Sequence, residues 1–167
     1  MTDAIVDVHL RPGRDRSVRQ GHPWLFSGSI ERETGDLDAP LAAIHAANGE
    51  RLATGLYNRR SEIRVRILAQ GAATIDQAFF ETRLRAALDL RAAVVPALTT
   101  GVRLINAEGD GLPGWSVDRF GEVVVSQITA TGLEALAEPA YQALRTVLGD
   151  DIVIVQDDDV RARRREG

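Results

Sequence analysis

Residues 106–115 read NAEGDGLPGW, and within them Gly109-x-Gly111-x-x-Gly114 matches letter for letter the glycine fingerprint of a dinucleotide-binding loop. The fold turns on whether that match is real. In such a loop the glycines turn a strand into a helix whose first amides face a pyrophosphate. Here VRLIN (102–106) reads as a strand, but WSVDRFGEVVVSQI (115–128) alternates β-branched and aromatic residues around Gly121 and predicts two more strands. Pro113 removes a backbone donor from inside the motif. With fifteen glycines in the chain, the spacing is easily met by chance. The stretch is therefore expected to be a Gly/Pro turn between strands, with no cofactor bound on it.

The acids in and beside this turn leave two readings open. Glu108, Asp110 and Asp118 would suit Mg²⁺ binding or acid/base work if they converged, which would make the chain a small enzyme. The plainer reading is that Asp110 caps the turn while Asp118 pairs with Arg119 or Arg103 on the surface.

Upstream of the loop, Ile75, Phe79, Leu84, Ala87, Leu88 and Arg91 recur at three- and four-residue steps, predicting a helix over 75–94 that stops before Pro96. Downstream, a second helix is expected over 131–148 and a last strand at DIVIVQ (151–156). Small residues near 69–74 read as a linker. Before it the pattern is β-like. AIVDVHL alternates, and Asn48-Gly49 between two apolar runs predicts a hairpin with positive φ at both turn positions. In EIRVRIL, Ile63, Val65 and Ile67 share one face while Arg64 and Arg66 share the other. The expected fold is α+β: a small β-barrel over 1–70, then a mixed α+β domain over 74–167.

Composition narrows the function classes. The 167 residues are 44% apolar and 26% charged, enough for packed cores. No apolar run is long enough to span a membrane, and MTDAIVDVHL lacks the layout of a signal peptide. There is no cysteine, which removes disulfides and thiolate chemistry and makes a cytoplasmic location the expectation. His9, His22 and His45 are scattered, so no metal site is indicated. The net charge is −4, and every basic residue is arginine. Up to residue 70, ten arginines face nine carboxylates, a balance of +1; beyond it, ten face fifteen, a balance of −5, so the acid excess lies in the second half.

The stretch with most functional promise is RPGRDRSVRQGHPWLFSGSI (11–30). Arg11, Arg14, Arg16 and Arg19 have only Asp15 among them, an electrostatic footprint for a phosphate backbone. His22, Trp24 and Phe26 follow. Such rings either stack unpaired bases or close the barrel core. Arg64 and Arg66 extend the basic surface, and GLYNRRS offers Tyr57, Asn58, Arg59 and Arg60 at a strand end. The arginines of RARRREG (161–167) read either as a nucleic-acid tail or as a linker.

Taken in order, GHPWLFSGSIE, ATGLYNRRSEIRVRIL, FFETRLRAALDLR and RLINAEGDGLPGWSVDRFGEVVVSQITATGLE resemble the RlmI-type methyltransferases. That resemblance implies an RNA-binding PUA domain, then a central α+β domain carrying EGDGLPG, and after it a Rossmann-like domain for S-adenosylmethionine. The implied activity is methylation of C5 of a cytosine in 23S ribosomal RNA, through a cysteine nucleophile. On that reading the cofactor-binding domain would begin just past Gly167. The cysteine-free chain would then bind RNA without catalysis. Its central domain would orient the RNA and support a homodimer. A protein-interaction module is the remaining alternative.

Overall fold

The computed structural model describes residues 5–96, 98–149 and 151–157. RARRREG and the extreme N-terminus lie outside them. The chain forms two compact units that divide between Ala73 and Thr74.

In the first unit, strands β1 (Ile5–Leu10), β2 (Trp24–Phe26), β3 (Ile30–Gly35), β4 (Leu41–His45), β5 (Arg51–Tyr57) and β6 (Ile63–Gln70) form one sheet, in the order β2-β6-β5-β4-β1-β3. A single-turn helix, α1 (Arg16–Arg19), follows β1. β1 runs parallel to β4 and antiparallel to β3, curling the sheet into a half-barrel. Strict alternation puts Val6, Val8 and Leu10 inside, packed with Val18, Leu25, Ile44 and Val65. Each such side chain contributes about 1.5–3 kcal/mol by leaving water.

The predicted hairpin joins β4 to β5, but its turn differs in kind. Only Gly49 has positive φ (87°); Asn48 does not. The Gly49 amide donates to Ala46 O at 2.9 Å and the Ala46 amide to Glu50 O at 2.9 Å, which makes a three-residue loop with a glycine bulge. Asn48 instead accepts from the Glu50 amide through its side chain. In β6 the alternation slips: Thr54 faces Ala69 and Gly55 faces Ile67, so Leu68 is an extra, buried residue. Gly55 permits this close pairing, because a Cβ there would sit 2.4 Å from Arg66 O. The segment expected as a linker begins as strand and is then held. The buried Thr54 hydroxyl donates to Gly71 O at 2.9 Å and accepts from the Ala73 amide at 3.2 Å.

The second unit opens with α2 (Gln77–Val94), whose N-terminus is capped by Asp76 accepting from the Phe79 amide. Its buried face is Phe80, Leu84 and Ala87, so Phe80 takes the core position expected of Phe79. Phe79 stays half-buried, with the Arg83 guanidinium 5.4 Å from its ring. Strands β7 (Gly101–Asn106), β8 (Trp115–Phe120), β9 (Val123–Ile128) and β10 (Val153–Gln156) make a sheet ordered β10-β9-β8-β7, with only β10 parallel to its neighbour. The expected helix over 131–148 is broken into α3 (Thr131–Glu134) and α4 (Ala137–Leu148). Pro139 explains the break: a continuous helix would drive its ring into the Ala135 carbonyl, whereas in the first turn of α4 its missing N–H costs nothing.

Trp115 is the fully buried centre of this unit. Phe80 and Tyr141 meet its ring edge-on at 5.9 and 6.3 Å, which places α2 and α4 on the same sheet face. The Trp115 indole N–H donates to Ser126 Oγ at 2.9 Å, and that hydroxyl continues to Tyr141 OH at 3.1 Å. The buried indole N–H and the buried Ser126 hydroxyl are thereby both satisfied.

Candidate nucleic-acid interface

The basic loop is shaped by its own sequence. Pro12 and Gly13 (φ 73°) occupy the middle of a turn closed by the Arg14 amide on Arg11 O at 3.1 Å. Arg11 donates through Nε to Ile30 O at 2.9 Å, which pins this turn beside the 3-10 turn Ser27–Ser29. Helix α1 ends in paired bonds, the Gly21 amide to Val18 O and the His22 amide to Ser17 O, with Gly21 at φ 80°. That ending delivers His22 to the start of β2, where its Nδ1 accepts from the Trp24 amide at 3.1 Å.

The four arginines of the loop are not equivalent. Arg19 donates to Asp15 at 2.7 Å and to both oxygens of Glu50 at 3.0 and 2.6 Å. Those hydrogen bonds hold both carboxyls below their ordinary range and raise the guanidinium further. Arg14 and Arg16 are exposed and make no side-chain hydrogen bond or ion pair with any described residue. The free positive charge of this surface is therefore theirs, with a share from Arg11.

His22, Trp24 and Phe26 form one aromatic group, with ring centroids 6.2–6.4 Å apart. Alternation in β2 sends Leu25 into the core and turns Trp24 and Phe26 outward, so Phe26 is 45% exposed and closes no core. The Arg66 guanidinium lies 5.8 Å from the Trp24 ring, its cross-strand neighbour. Tyr57, by contrast, is only 4% exposed and packs in the barrel; burial raises its phenol. No face of that ring is open to a base. Asn58 organises its turn, with its carboxamide accepting from the Arg60 amide. Arg59 and Arg60 project from that turn, exposed. Arg64 is engaged: its Nη1 reaches both oxygens of Glu33 at 3.0 and 3.1 Å and its Nε the Ser61 carbonyl at 3.3 Å.

A cluster the linear spacing concealed lies across β1 and β4. Their parallel register sets His9 beside His45, with rings stacked at 4.9 Å and 19°. His45 Nε2 is 2.7 Å from Asp7 Oδ1. Burial, then the charge of Arg32, then His45 push His9 below its ordinary value. No periodicity within one segment signals a pair made between strands.

The acids of the glycine loop do not converge. Asp110, nearly buried, takes both Nη atoms of Arg91 at 2.6 Å and also accepts from the Asn106 amide. Asp118 is paired with Arg103 at 2.9 and 2.8 Å. Among the described residues no three His, Asp or Glu side chains are placed to hold a metal. The loop also fails as a seat for the adenosine cofactor the resemblance implies. The Gly111, Leu112 and Trp115 amides are spent on Glu108, Ala107 and Leu112 carbonyls, and a strand follows instead of a helix. No helix among the described residues is long and apolar enough to cross a membrane.

Residues 8–70 match a sequence family described as the PUA-like domain, and the half-barrel with its helix-bearing loop is that domain. The class is thus a protein built on a PUA-like module followed by an α+β unit. Over nearly its whole length the chain is homologous to the ribosomal RNA large subunit methyltransferase I family. It is 39% identical to the member from Pseudoalteromonas translucida across 96% of this chain and 41% of that protein. It is 38% identical to the member from Aliivibrio fischeri across 97% and 41%. The chain therefore spans about two fifths of the length of the curated relatives it matches. Among solved structures, a Streptococcus mutans protein described as a candidate SAM-dependent methyltransferase shares the fold with a TM-score of 0.78 at 16% identity, over 91% of this chain and 40% of that one. A second structure, described as a candidate methyltransferase complexed with SAH, aligns at 0.77 and 15% identity, over 95% of this chain and 41% of that one.

Proposed function

We propose that this chain is the RNA-handling portion of an S-adenosylmethionine-dependent methyltransferase acting on C5 of a cytosine in 23S ribosomal RNA, in the cytoplasm, and that it performs no catalytic step itself. One observation carries the reading. The PUA-like unit presents the uncompensated Arg14 and Arg16 beside an outward-facing His22–Trp24–Phe26 group, charge for phosphates next to rings for bases. The homology to ribosomal RNA methyltransferases supports the substrate class. Arg11, Arg14 and Arg16 make the main phosphate contacts, Arg59 and Arg66 extend them, and Trp24 lies where bases stack. Arg19, Arg64 and Tyr57 support this surface from within. The absence of cysteine from all 167 residues supports the lack of a covalent step.

The test is fluorescence anisotropy of the chain with labelled fragments of 23S ribosomal RNA over a series of salt concentrations. Binding that weakens steeply with salt, with a slope of roughly two to four released counterions, is expected. Binding that is absent at low salt, or insensitive to salt, sinks the proposal.

A further inference from the structure

A second feature of the PUA-like unit lies outside the arginine loop and deepens the RNA reading on which it rests. The curled sheet is not closed: β2 and β3 are its two edges, joined by the 3-10 turn Ser27–Ser29. Arg64 on β6 reaches Glu33 on β3 across this seam. Beside that bridge is a cavity of about 380 Å³. Its wall includes the apolar Leu37 and Ile30, the second of them nearly buried. The polar part is Arg64 with Glu33, and around them Glu31, Arg32 and Arg59.

The chemistry of this lining is specific. Arg64 is held by Glu33 and by the Ser61 carbonyl, so its guanidinium plane is fixed before any ligand arrives. Glu33 spends both oxygens on Arg64. The Glu31 side chain is exposed, within electrostatic reach of His9 but with no hydrogen bond or ion pair to a described residue, so its carboxylate is an open acceptor in this lining. Arg59 is likewise exposed and uncommitted, a free cation in the same lining. A flat ligand with apolar faces, hydrogen-bond donors on one edge and a negative charge attached answers all of these. Nucleotide bases stack on fixed arginine planes and offer their edges when unpaired. The volume lies near the small end of ligand cavities, about 300–1,000 Å³, which suits one nucleotide and excludes a duplex.

We propose that this seam cavity seats a single unpaired RNA nucleotide whose base carries an exocyclic amino group. The base lies between Leu37 and the Arg64 plane, its amino group donates to Glu31, and its phosphate meets Arg59 and Arg32. A carboxylate accepts from an amino group but repels a carbonyl at the same place, so uracil is rejected. The site adds base preference to a surface that otherwise recognises charge alone.

The experiment compares fluorescein-labelled cytidine and uridine heptamers, whose bases differ in the 4-amino group against a carbonyl and in the protonation of N3, binding to the whole chain by anisotropy. Cytidine is expected to bind about tenfold more tightly, the span of one good base contact. Glu31→Ala should bring the two to near parity, cytidine weakening as its acceptor is lost and uridine tightening as the repulsion is removed. Arg59→Ala should weaken both and reduce the salt slope by about one. Both residues are exposed, and matching thermal melts would show that the variants fold. Equal binding of the two heptamers by the unmodified chain, or a cytidine preference that survives Glu31→Ala, overturns this site while leaving the RNA reading intact. Failure to bind any RNA overturns both.

Discussion

Arg19 and Glu50, thirty-one residues apart, are joined by two parallel hydrogen bonds of 3.0 and 2.6 Å that tie helix α1 to the start of β5. The pair spends a cation that the sequence alone counts as available for phosphate. Charge on this surface is therefore a matter of which arginines have no carboxylate of their own.

Arg14→Ala and Arg16→Ala should each weaken RNA binding similarly for all sequences and lower the salt slope by about one. Arg19→Ala should change the slope by much less, because Asp15 and Glu50 already neutralise it. Anisotropy at several salt concentrations distinguishes the three. Equal losses would mean that RNA displaces the internal pair.

Phe26 and Leu25 are neighbours with opposite duties. Leu25→Ala should cost about 2–5 kcal/mol in urea unfolding, since it empties a packed site. Phe26→Ala should leave stability within about 0.5 kcal/mol, as surface changes do. Stacking loss at Phe26 should nevertheless reduce single-stranded RNA affinity by about 1–3 kcal/mol. If Phe26→Ala binds RNA as well as the parent chain, the aromatic group is not a platform.

Asp110 binds the central loop to α2 through Arg91. Asp110→Ala leaves that arginine without its counter-ion in a nearly buried place and should cost about 3–5 kcal/mol. Chemical unfolding monitored by Trp115 fluorescence reads it directly. Mg²⁺ titration of the parent chain should give no heat, because the loop acids already have arginine partners. Heat on Mg²⁺ addition, lost in Asp110→Asn, would revive the small-enzyme reading.

His9 makes stability depend on pH. Its folded-state value lies below its ordinary 6.5, so the unfolded chain binds the proton more readily. The neutral ring favours the folded state above about pH 6.5, and that advantage declines as pH falls from there through the lowered value. The depressed Asp15 and Glu50 carboxyls add their own losses only at more acid pH. Thermal midpoints between pH 7.5 and 5.5 should fall in the parent chain and stay flatter in His9→Gln. Identical slopes would remove His9 as the cause.

How much was legible in the sequence follows from where each signal resides. Periodicity within a segment revealed β1, β6 and α2, and the residues after Gly114 exposed the false glycine fingerprint. One-residue errors arose where tertiary packing chose between equivalent neighbours, as when Phe80 displaced Phe79 beneath Trp115. The break at Pro139 is carried by a single residue inside an otherwise strong helical pattern, which masks it in the sequence. Of the site, the arginine loop and aromatic stretch were visible as composition. Which arginines are spent was not, since Glu50 and Glu33 reach Arg19 and Arg64 only through the folded sheet. The His9–His45 stack and the seam cavity depend on strand order, which no local pattern encodes.

The strand order also governs how the unit comes into being. β1 finds its partners only in β3 and β4, and β2 only in β6, some forty residues further along the chain. Such non-local pairing makes these contacts slow to form compared with the local β4–β5 and β5–β6 pairs. On a translating ribosome the edge bearing Trp24 and Phe26 cannot be paired until Ile63–Arg66 have emerged. The strand that carries Trp24 and Phe26 therefore gains its place only when β6 is present, and a chain cut before β6 lacks the neighbour that holds these rings in register.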